Sequence, residues 1–282
     1  MDIRDSLKIA LEYLKDNKFT DPYFESRYIL SEILEKDLAF LISHSEYSLT
    51  EFEERKFLEI LNRRKKGEPL QYIFGKTYFY KDEFIIHNGV LIPRQDTEIS
   101  VSVLEKIISK KDKIDFLEIG VGSGIVILSM AKEYLNSNFV GCDISDLALD
   151  NANENLKKFE LKNVTLIKSN IYSNIIGKFD IIYSNPPYIK TSEIDNLQVE
   201  VKDYEPRLAL DGGEDGLFIY RKIINDLDSY LKEDGYLVLE IGYDQANDLK
   251  DLLKGYKVKI YKDLSARDRV VVAQKEKICT KI

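Results

Sequence analysis

Phe116-Leu117-Glu118-Ile119-Gly120-Val121-Gly122-Ser123-Gly124 is the stretch on which the reading of the whole chain turns. Its first four residues form an apolar β run carrying one acid, the next five a turn with glycine at alternate positions, and residues 125–134 continue as an apolar helical segment. A strand that passes through a tight glycine turn into a helix is the unit that binds a ligand at the carboxyl end of a parallel sheet. Glycine lets backbone approach the ligand closely, and the helix N-terminus presents free N–H groups to it. Spacing removes two ligand classes: a dinucleotide fingerprint counted from Gly120 needs glycine at Ile125, and a phosphate loop needs a Gly-Lys-Ser/Thr ending that is absent. A glycine turn that serves packing alone stays open until the neighbouring strand ends are read.

Outward from this turn, apolar β runs at 115–120, 138–142, 165–168, 179–184, 235–241, 257–260 and 270–273 alternate with helical segments. That alternation predicts an α/β domain, a mostly parallel, doubly wound sheet with helices on both faces. The series Glu-x-Gly-x-Gly-x-Gly from Glu118 to Gly124 resembles the first motif of class I S-adenosylmethionine-dependent methyltransferases, a Rossmann-like fold. Asp143, in Phe139-Val140-Gly141-Cys142-Asp143-Ile144-Ser145, then stands at the tip of the second strand, about 20 residues past the glycines, where a carboxylate accepts from both ribose hydroxyls. Its other reading is an N-cap for a helix over 147–156, although Ser145 and Asp146 are available for that. The third strand ends at Ser169-Asn170-Ile171, where the resemblance implies a polar group at the adenine amine and an apolar one on its face. Many relatives carry Asp at the position of Asn170; Asn accepts through its carbonyl.

The fourth strand delivers the chain into Asn185-Pro186-Pro187-Tyr188. The lone pair of an amide or aryl-amine nitrogen is delocalised into its π system, which makes methylation difficult. If the Asn185 side-chain oxygen and the Pro186 carbonyl each accept one N–H of a target NH₂, the nitrogen is held and its lone pair is directed at the methyl group, giving an in-line displacement. The two prolines fix φ near about -65° and stiffen the acceptor pair, while Tyr188 offers a ring to the planar target. Asn-Pro-Pro is also ordinary turn chemistry, but here it follows a glycine loop and a ribose acid on successive strand ends.

The rest of the chain divides into residues 1–71, a small helical bundle; 72–92, a β-hairpin turning near Lys81-Asp82; and 93–282, the α/β domain. Ile3, Leu7, Ala10, Leu11 and Leu14 recur at helical spacing, Thr20-Asp21-Pro22 offers a helix start, and Thr50 with Glu53 offers a capping box. Arg63-Arg64-Lys65-Lys66 reads as cations on a solvated helix end, with a contact to RNA or a partner as the other reading. Pro93, Arg94 and Glu98 either line the edge of the cleft or belong to a helix start capped at Asp96 or Thr97. Residues 211–216 read as a turn-rich connection.

Composition narrows the function. The 282 residues are 44% hydrophobic and 32% charged, with 49 acids against 41 bases and a formal charge of -8, the wrong sign for general phosphate-backbone binding. Residues 1–92 hold 14 bases against 17 acids and residues 93–282 hold 27 against 32, so neither half is a basic module. Cys142 and Cys279 make no disulfide framework, no Cys/His cluster has metal-ligand spacing, and His44 and His87 stand beside no nucleophile motif. No leader-like or membrane-length apolar run is present, so a reducing cytoplasm is expected and no membrane contact.

Across nearly its whole length the chain resembles the HemK/PrmC-type peptide chain release factor glutamine methyltransferases. The blocks are Arg63-Arg64 with Gly67-Glu68-Pro69-Leu70-Gln71-Tyr72-Ile73-Phe74-Gly75, Val90-Leu91-Ile92-Pro93-Arg94 through Glu98, the glycine loop, Asn185-Pro186-Pro187-Tyr188-Ile189, Tyr204-Glu205-Pro206-Arg207-Leu208-Ala209-Leu210, Asp211-Gly212-Gly213-Glu214-Asp215-Gly216-Leu217, Tyr220-Arg221-Lys222-Ile223 and Leu239-Glu240-Ile241-Gly242. It departs at Gln95, where the family often has Pro, and at Lys81, where glycine is common. The resemblance implies N5-methylation of the glutamine in the Gly-Gly-Gln motif of bacterial class I release factors, with S-adenosylmethionine as donor and S-adenosylhomocysteine as product. It implies cofactor contacts at Glu118, Gly120, Val121, Gly122, Ser123, Gly124, Asp143, Ile144, Asn170, Ile171 and Asn185. It implies catalytic and substrate contacts at Asn185, Pro186, Pro187 and Tyr188 and recognition of the release factor by the helical domain 1–71, while the Cys and His spacing leads to the expectation of no metal. Two alternatives of other kinds are a nucleic-acid adenine-N6 methyltransferase, which uses a similar turn but calls for a basic recognition region, and a non-catalytic protein that binds translation factors.

Overall fold

A computed structural model of the chain describes residues 1–16, 21–109, 111 and 113–275. The chain divides into two compact units, Met1–Phe74 with Gln198–Tyr204, and Gly75–Leu197 with Glu205–Ile282. The short excursion of 198–204 into the first unit has no signature in the hydropathy pattern.

The first unit is helical: α1 Ile3–Leu14, α2 Pro22–Leu34, α3 Leu38–Ser43, α4 Glu51–Lys65 and α5 Leu70–Phe74. Short polar side chains start the helices by accepting their orphan N–H groups. Asp2 accepts from Asp5, Asp21 from Tyr23 and Phe24, and Asp37 from Phe40, at 2.8, 3.0, 3.2 and 2.8 Å. Pro22 sits at the first position of α2, as expected; Thr20 lies outside the described residues. Thr50 and Glu53 form the reciprocal capping box. The apolar faces close on Ile3, Ala10, Leu14, Ile29, Leu30, Phe57 and Leu61, all fully buried.

Two expectations fail here. Residues 72–74, read as the start of the hairpin, lie in the helix Leu70–Phe74. Arg64 is not on a solvated face: it is buried, with Nε and Nη2 donating to the Glu25 carboxylate at 2.9 and 3.0 Å and Nη2 also to Glu200 at 2.9 Å. Glu200 comes from the short helix Val199–Lys202 in the excursion. A buried guanidinium needs this degree of pairing to offset its desolvation. Its neighbour Arg63 makes a two-bond pair with Glu68 at 2.8 and 2.6 Å, so the run is divided between interior and surface.

The second unit opens with the hairpin β1 Lys76–Phe79 and β2 Asp82–Ile85, which turns at Tyr80-Lys81 with Tyr80 in the left-handed region at φ +57°. The chain continues through α6 Thr97–Ile108, β3 Asp115–Ile119, α7 Ile125–Glu133, β4 Asn138–Asp143, α8 Asp146–Lys158, β5 Val164–Lys168 and β6 Phe179–Ser184. After two helices, Phe218–Asn225 and Leu227–Tyr230, come β7 Leu231–Glu240, the helix Ala246–Leu252, β8 Tyr256–Lys262 and β9 Asp268–Lys275. The strands form one sheet in the order β5-β4-β3-β6-β7-β9-β8. β3, β4, β5, β6 and β7 run parallel, and β9 pairs antiparallel with both neighbours.

Period-2 alternation sorts each strand between two cores. Phe116, Ile181, Tyr183 and Val238 face the cluster made with α6 and α7, whereas Leu117, Ile182, Leu237 and Leu239 face the cluster made with the helices Phe218–Asn225 and Ala246–Leu252. Because β3 lies between β4 and β6, successive connections leave it to opposite sides, which opens a crevice at the carboxyl ends. β7 begins earlier than its apolar run suggests, since Lys232-Glu233-Asp234-Gly235 is strand, with a register irregularity against β6. Among the described residues no helix is long and apolar enough to cross a membrane, and no group of three or more His, Cys, Asp or Glu could hold a metal ion.

Candidate active site

The glycine loop is pinned to the next strand: the N–H groups of Gly120 and Val121 donate to the Cys142 carbonyl at 2.8 and 3.1 Å. Gly120 and Gly122 have φ of +78° and +55°, and a Cβ on either would meet nothing within 4 Å, so both are needed for conformation on an open face. Gly124 differs, because a Cβ there would lie 3.1 Å from Leu128 and 3.2 Å from Ala152; it serves the packing of α7 on α8. The loop therefore does more than pack.

Asp143 ends β4 beneath this loop. Its Oδ2 accepts from Gly122 N at 3.0 Å and its Oδ1 from Ser145 N at 2.9 Å, while burial raises its pKa against the pull of those N–H groups. Ser145 Oγ caps α8 through Ala148 N at 3.3 Å, so capping does not occupy Asp143. Cys142 is buried, and burial pushes its thiol up to about 12, which leaves it an inert strand residue; Cys279 lies outside the described residues.

A cleft of about 190 Å³ lies at these strand ends. The turn after β3 supplies Gly120 and Gly122, the end of β4 supplies Asp143 and the residue after it Ile144, the turn after β5 supplies Asn170 and Ile171, and the turn after β6 supplies Asn185, Pro186 and Pro187. A smaller cavity of about 50 Å³ shares Gly120, Gly122 and Asn185 with it and adds Glu118, Val121 and Ser123. A wider depression, about 560 Å³, touches Asn170 and Ile171 but none of the glycines or the Asn-Pro-Pro turn, so volume alone would point away from the chemistry. Glu118 is buried, and among the described residues its Oε2 has no hydrogen-bond partner. Burial lifts its pKa well above the ordinary carboxylate value. A cationic ligand group in the small cavity would satisfy that oxygen.

At the end of β6, Ser184 Oγ donates to the Ile119 carbonyl at 2.7 Å, which fixes the fourth strand end to the first. Among the described residues, the Asn185 side chain and the Pro186 carbonyl have no hydrogen-bond partner, leaving both acceptors free beside the cleft. Tyr188 stands apart from the other three. Its ring is partly buried against the core under the helices Phe218–Asn225 and Ala246–Leu252 and lines neither cavity.

Of the readings open at 93–98, Pro93 and Arg94 line the small cavity, and Arg94 Nη2 donates to Glu205 at 2.6 Å. Glu98 instead accepts from Tyr80 N at 3.0 Å, and Asp96 makes no side-chain cap on α6. Two further residues escaped the sequence reading. Asn151 and Asn155, both fully buried on α8, bind the backbone of the hairpin at Ile85 and His87. Asn155 also donates to the Ser123 carbonyl at 3.0 Å, bracing the glycine loop. Their four-residue spacing on one helix face was the only available signal.

Glu240, buried at the end of β7, accepts from Thr97 and Ser100 hydroxyls at 3.2 and 3.3 Å, and burial pushes its pKa up to about 7. A carboxyl whose folded pKa is raised above its ordinary 4.5 contributes stability that is complete below 4.5 and lost as pH climbs to about 7. Glu240→Gln should therefore flatten the decline of melting temperature across that window relative to the unmodified protein. Parallel melting curves at several pH values test this, and an unchanged slope would contradict the assignment.

Two family models match: one described as the PrmC N-terminal domain over residues 5–75, and one described as the methyltransferase small domain over residues 83–202. A release factor glutamine methyltransferase of Fusobacterium nucleatum subsp. nucleatum is 38% identical over 277 residues, covering 96% of this chain and 78% of its own. Relatives of the same description from Clostridium botulinum and Thermodesulfovibrio yellowstonii are 35% and 39% identical, covering 98% and 95% of this chain and 100% and 99% of theirs. Among solved structures, a methyltransferase from Pyrococcus furiosus superposes with a TM-score of 0.51 at 22% identity, over 79% of this chain and 99% of that one, a likeness of fold.

Proposed function

The chain belongs to the release factor glutamine methyltransferases, and on that premise we propose that it methylates the side-chain nitrogen of the glutamine in the Gly-Gly-Gln motif of bacterial class I release factors. The observation that carries the mechanism is the position of Asn185: it borders both the cleft with Asp143 and the small cavity with Glu118, beside an unpartnered Pro186 carbonyl.

The residues present fit S-adenosylmethionine. Asp143 has lone pairs left for ribose hydroxyls, Asn170 and Ile171 offer a polar and an apolar contact for adenine, and Glu118 offers an unpaired oxygen for the ammonium group. Gly120, Val121, Gly122 and Ser123 form the open loop between them, with Gly124 setting its helix and Ile144 lining the ribose side. When bound, this cofactor supplies an electrophilic methyl group on a sulfonium sulfur. The chain's own task is to hold the nucleophile. The Asn185 oxygen and the Pro186 carbonyl each accept one N–H of the glutamine amide, turning its lone pair out of conjugation and toward the cleft. Pro187 removes a further donor and stiffens the turn. Tyr188, whose ring lies against the core, serves through its backbone, which anchors the exit of the turn. The amide nitrogen would supply the pair of the new C–N bond as the methyl's C–S bond breaks with its pair left on sulfur, giving S-adenosylhomocysteine, and the proton shed by the nitrogen would pass to solvent.

Parallel incubations with a class I release factor and with duplex DNA, each with methyl-labelled S-adenosylmethionine, test the substrate class. Label should enter the release factor alone; label in DNA, or in neither, would overturn the reading.

A further inference from the structure

Behind the Asn-Pro-Pro-Tyr turn lies a clamp that the mechanism above does not use. Gln245 is 4% exposed and all its side-chain amide atoms are engaged. Its Oε1 accepts from Gly242 N at 3.0 Å, and its Nε2 donates to the Tyr188 carbonyl at 3.0 Å and to the Gly216 carbonyl at 3.2 Å. One side chain thus joins the segment after β7, the catalytic turn and the glycine-rich turn 211–216. Its own backbone is fixed, since Gln245 N donates to Gly242 O at 3.1 Å and Gln245 O accepts from Leu249 N at 3.1 Å at the start of the helix Ala246–Leu252.

The turn 211–216 presses on the same carbonyls. A Cβ on Gly216 would fall 2.5 Å from the Tyr188 oxygen and 2.7 Å from Gln245 Nε2, and a Cβ on Gly212 would fall 2.8 Å from the Pro187 oxygen. Ile189 N donates to Leu210 O at 3.1 Å and Gly212 N to Ile189 O at 2.8 Å, so the segment follows the exit from the turn closely. Residues 211–216 are therefore a packed surface for Pro187 and Tyr188 rather than a mere connection. The carbonyls of Pro187 and Tyr188 face this support, while the Pro186 carbonyl and the Asn185 amide are left unpartnered.

We infer that Gln245 is a positioning residue for methyl transfer, holding the Asn185–Tyr188 turn through the Tyr188 carbonyl. The inference rests on the acceptor role given to Asn185 and Pro186. Between Asn185 and Tyr188 the two proline rings lock φ and the peptide units are planar, leaving few soft torsions. A restraint on the Tyr188 carbonyl is for that reason felt at the Pro186 carbonyl. Acceptors that must hold an amide within about 0.5 Å of the productive geometry need such support. Glutamine suits the place because it offers two donors and one acceptor without charge; a glutamate would set an oxygen against two carbonyl oxygens.

Gln245→Met keeps the volume and loses all three bonds; Gln245→Glu keeps the acceptor for Gly242 and loses the donors. With release factor as substrate, both should show kcat reduced about 30-fold, the effect of a small misplacement of reacting groups. KM for the release factor and cofactor Kd by calorimetry should stay within about threefold. A kcat within about threefold of the unmodified protein would overturn the role, as would a loss matched by equal weakening of cofactor binding. Should Gln245→Met not fold, Gln245→Glu decides; if neither folds, Gln245 is structural and the inference fails. If the unmodified protein does not methylate the release factor, it is the proposed function that falls, whereas an active protein indifferent to both changes sinks only this role.

Discussion

Asn185→Ala lowers kcat for release-factor methylation about 100-fold or more, the effect of removing one group oriented at the reacting centre. Cofactor binding should change far less. The Asn185 side chain makes no bond within the described protein, so its removal leaves no buried partner unsatisfied and the fold should persist. Its role is confined to the bound amide, where one N–H loses its acceptor and the lone pair returns toward conjugation. The loss therefore belongs in kcat and in kcat/KM together, since the interaction is strongest where the lone pair is directed at the methyl group. Steady-state kinetics with calorimetry of cofactor binding check this, and turnover near that of the unmodified protein would rule out the acceptor role.

Asp143→Ala acts at the other end of the cleft and on a different quantity. Two hydrogen bonds from ribose hydroxyls to a carboxylate, at about 2 kcal/mol each, amount to about 4 kcal/mol, or roughly 1,000-fold in cofactor Kd. The same change frees Gly122 N, which Asp143 Oδ2 holds at 3.0 Å, so the glycine loop loses a restraint as well as the ligand a partner. Asp143→Asn separates the two effects, because it keeps an acceptor for Gly122 while weakening the contact to the hydroxyls. Its cofactor Kd should fall between those of the alanine variant and the unmodified protein. An unchanged Kd for Asp143→Ala would reject the ribose assignment.

Both residues are legible in the sequence for a physical reason: strand period and helical period fix where the strands end, and the ligand-binding groups of such a sheet stand at those ends. Glu118, the glycine loop, Asp143 and Asn185-Pro186-Pro187 could be placed in this way, and the structure brings them to one pair of adjoining cavities. What the sequence hides is long-range pairing. Arg63-Arg64-Lys65-Lys66 looks alike along its length, yet Arg64 alone turns inward, to a glutamate supplied by a segment 136 residues further on. Glu240 and Gln245 sit in and after an apolar strand without local distinction, and only the folded register sets one against Thr97 and Ser100 and the other against Tyr188. β7 starts at Leu231, ahead of the apolar run at 235–241, because Leu231 pairs with Phe179 of β6 before an irregularity and regular pairing resumes only at Tyr236. Tyr188 shows the limit of motif reading in the other direction, since its place in the tetrapeptide suggests a cleft wall and its ring lies against the core.

The most direct test is to let the protein turn over once on a class I release factor with S-adenosylmethionine, digest the product and sequence the Gly-Gly-Gln peptide by mass spectrometry. One added methyl on the side-chain nitrogen of that glutamine, formed about 100-fold more slowly with Asn185→Ala, is the predicted result; an unmodified glutamine, or a methyl group on any other residue, would contradict it.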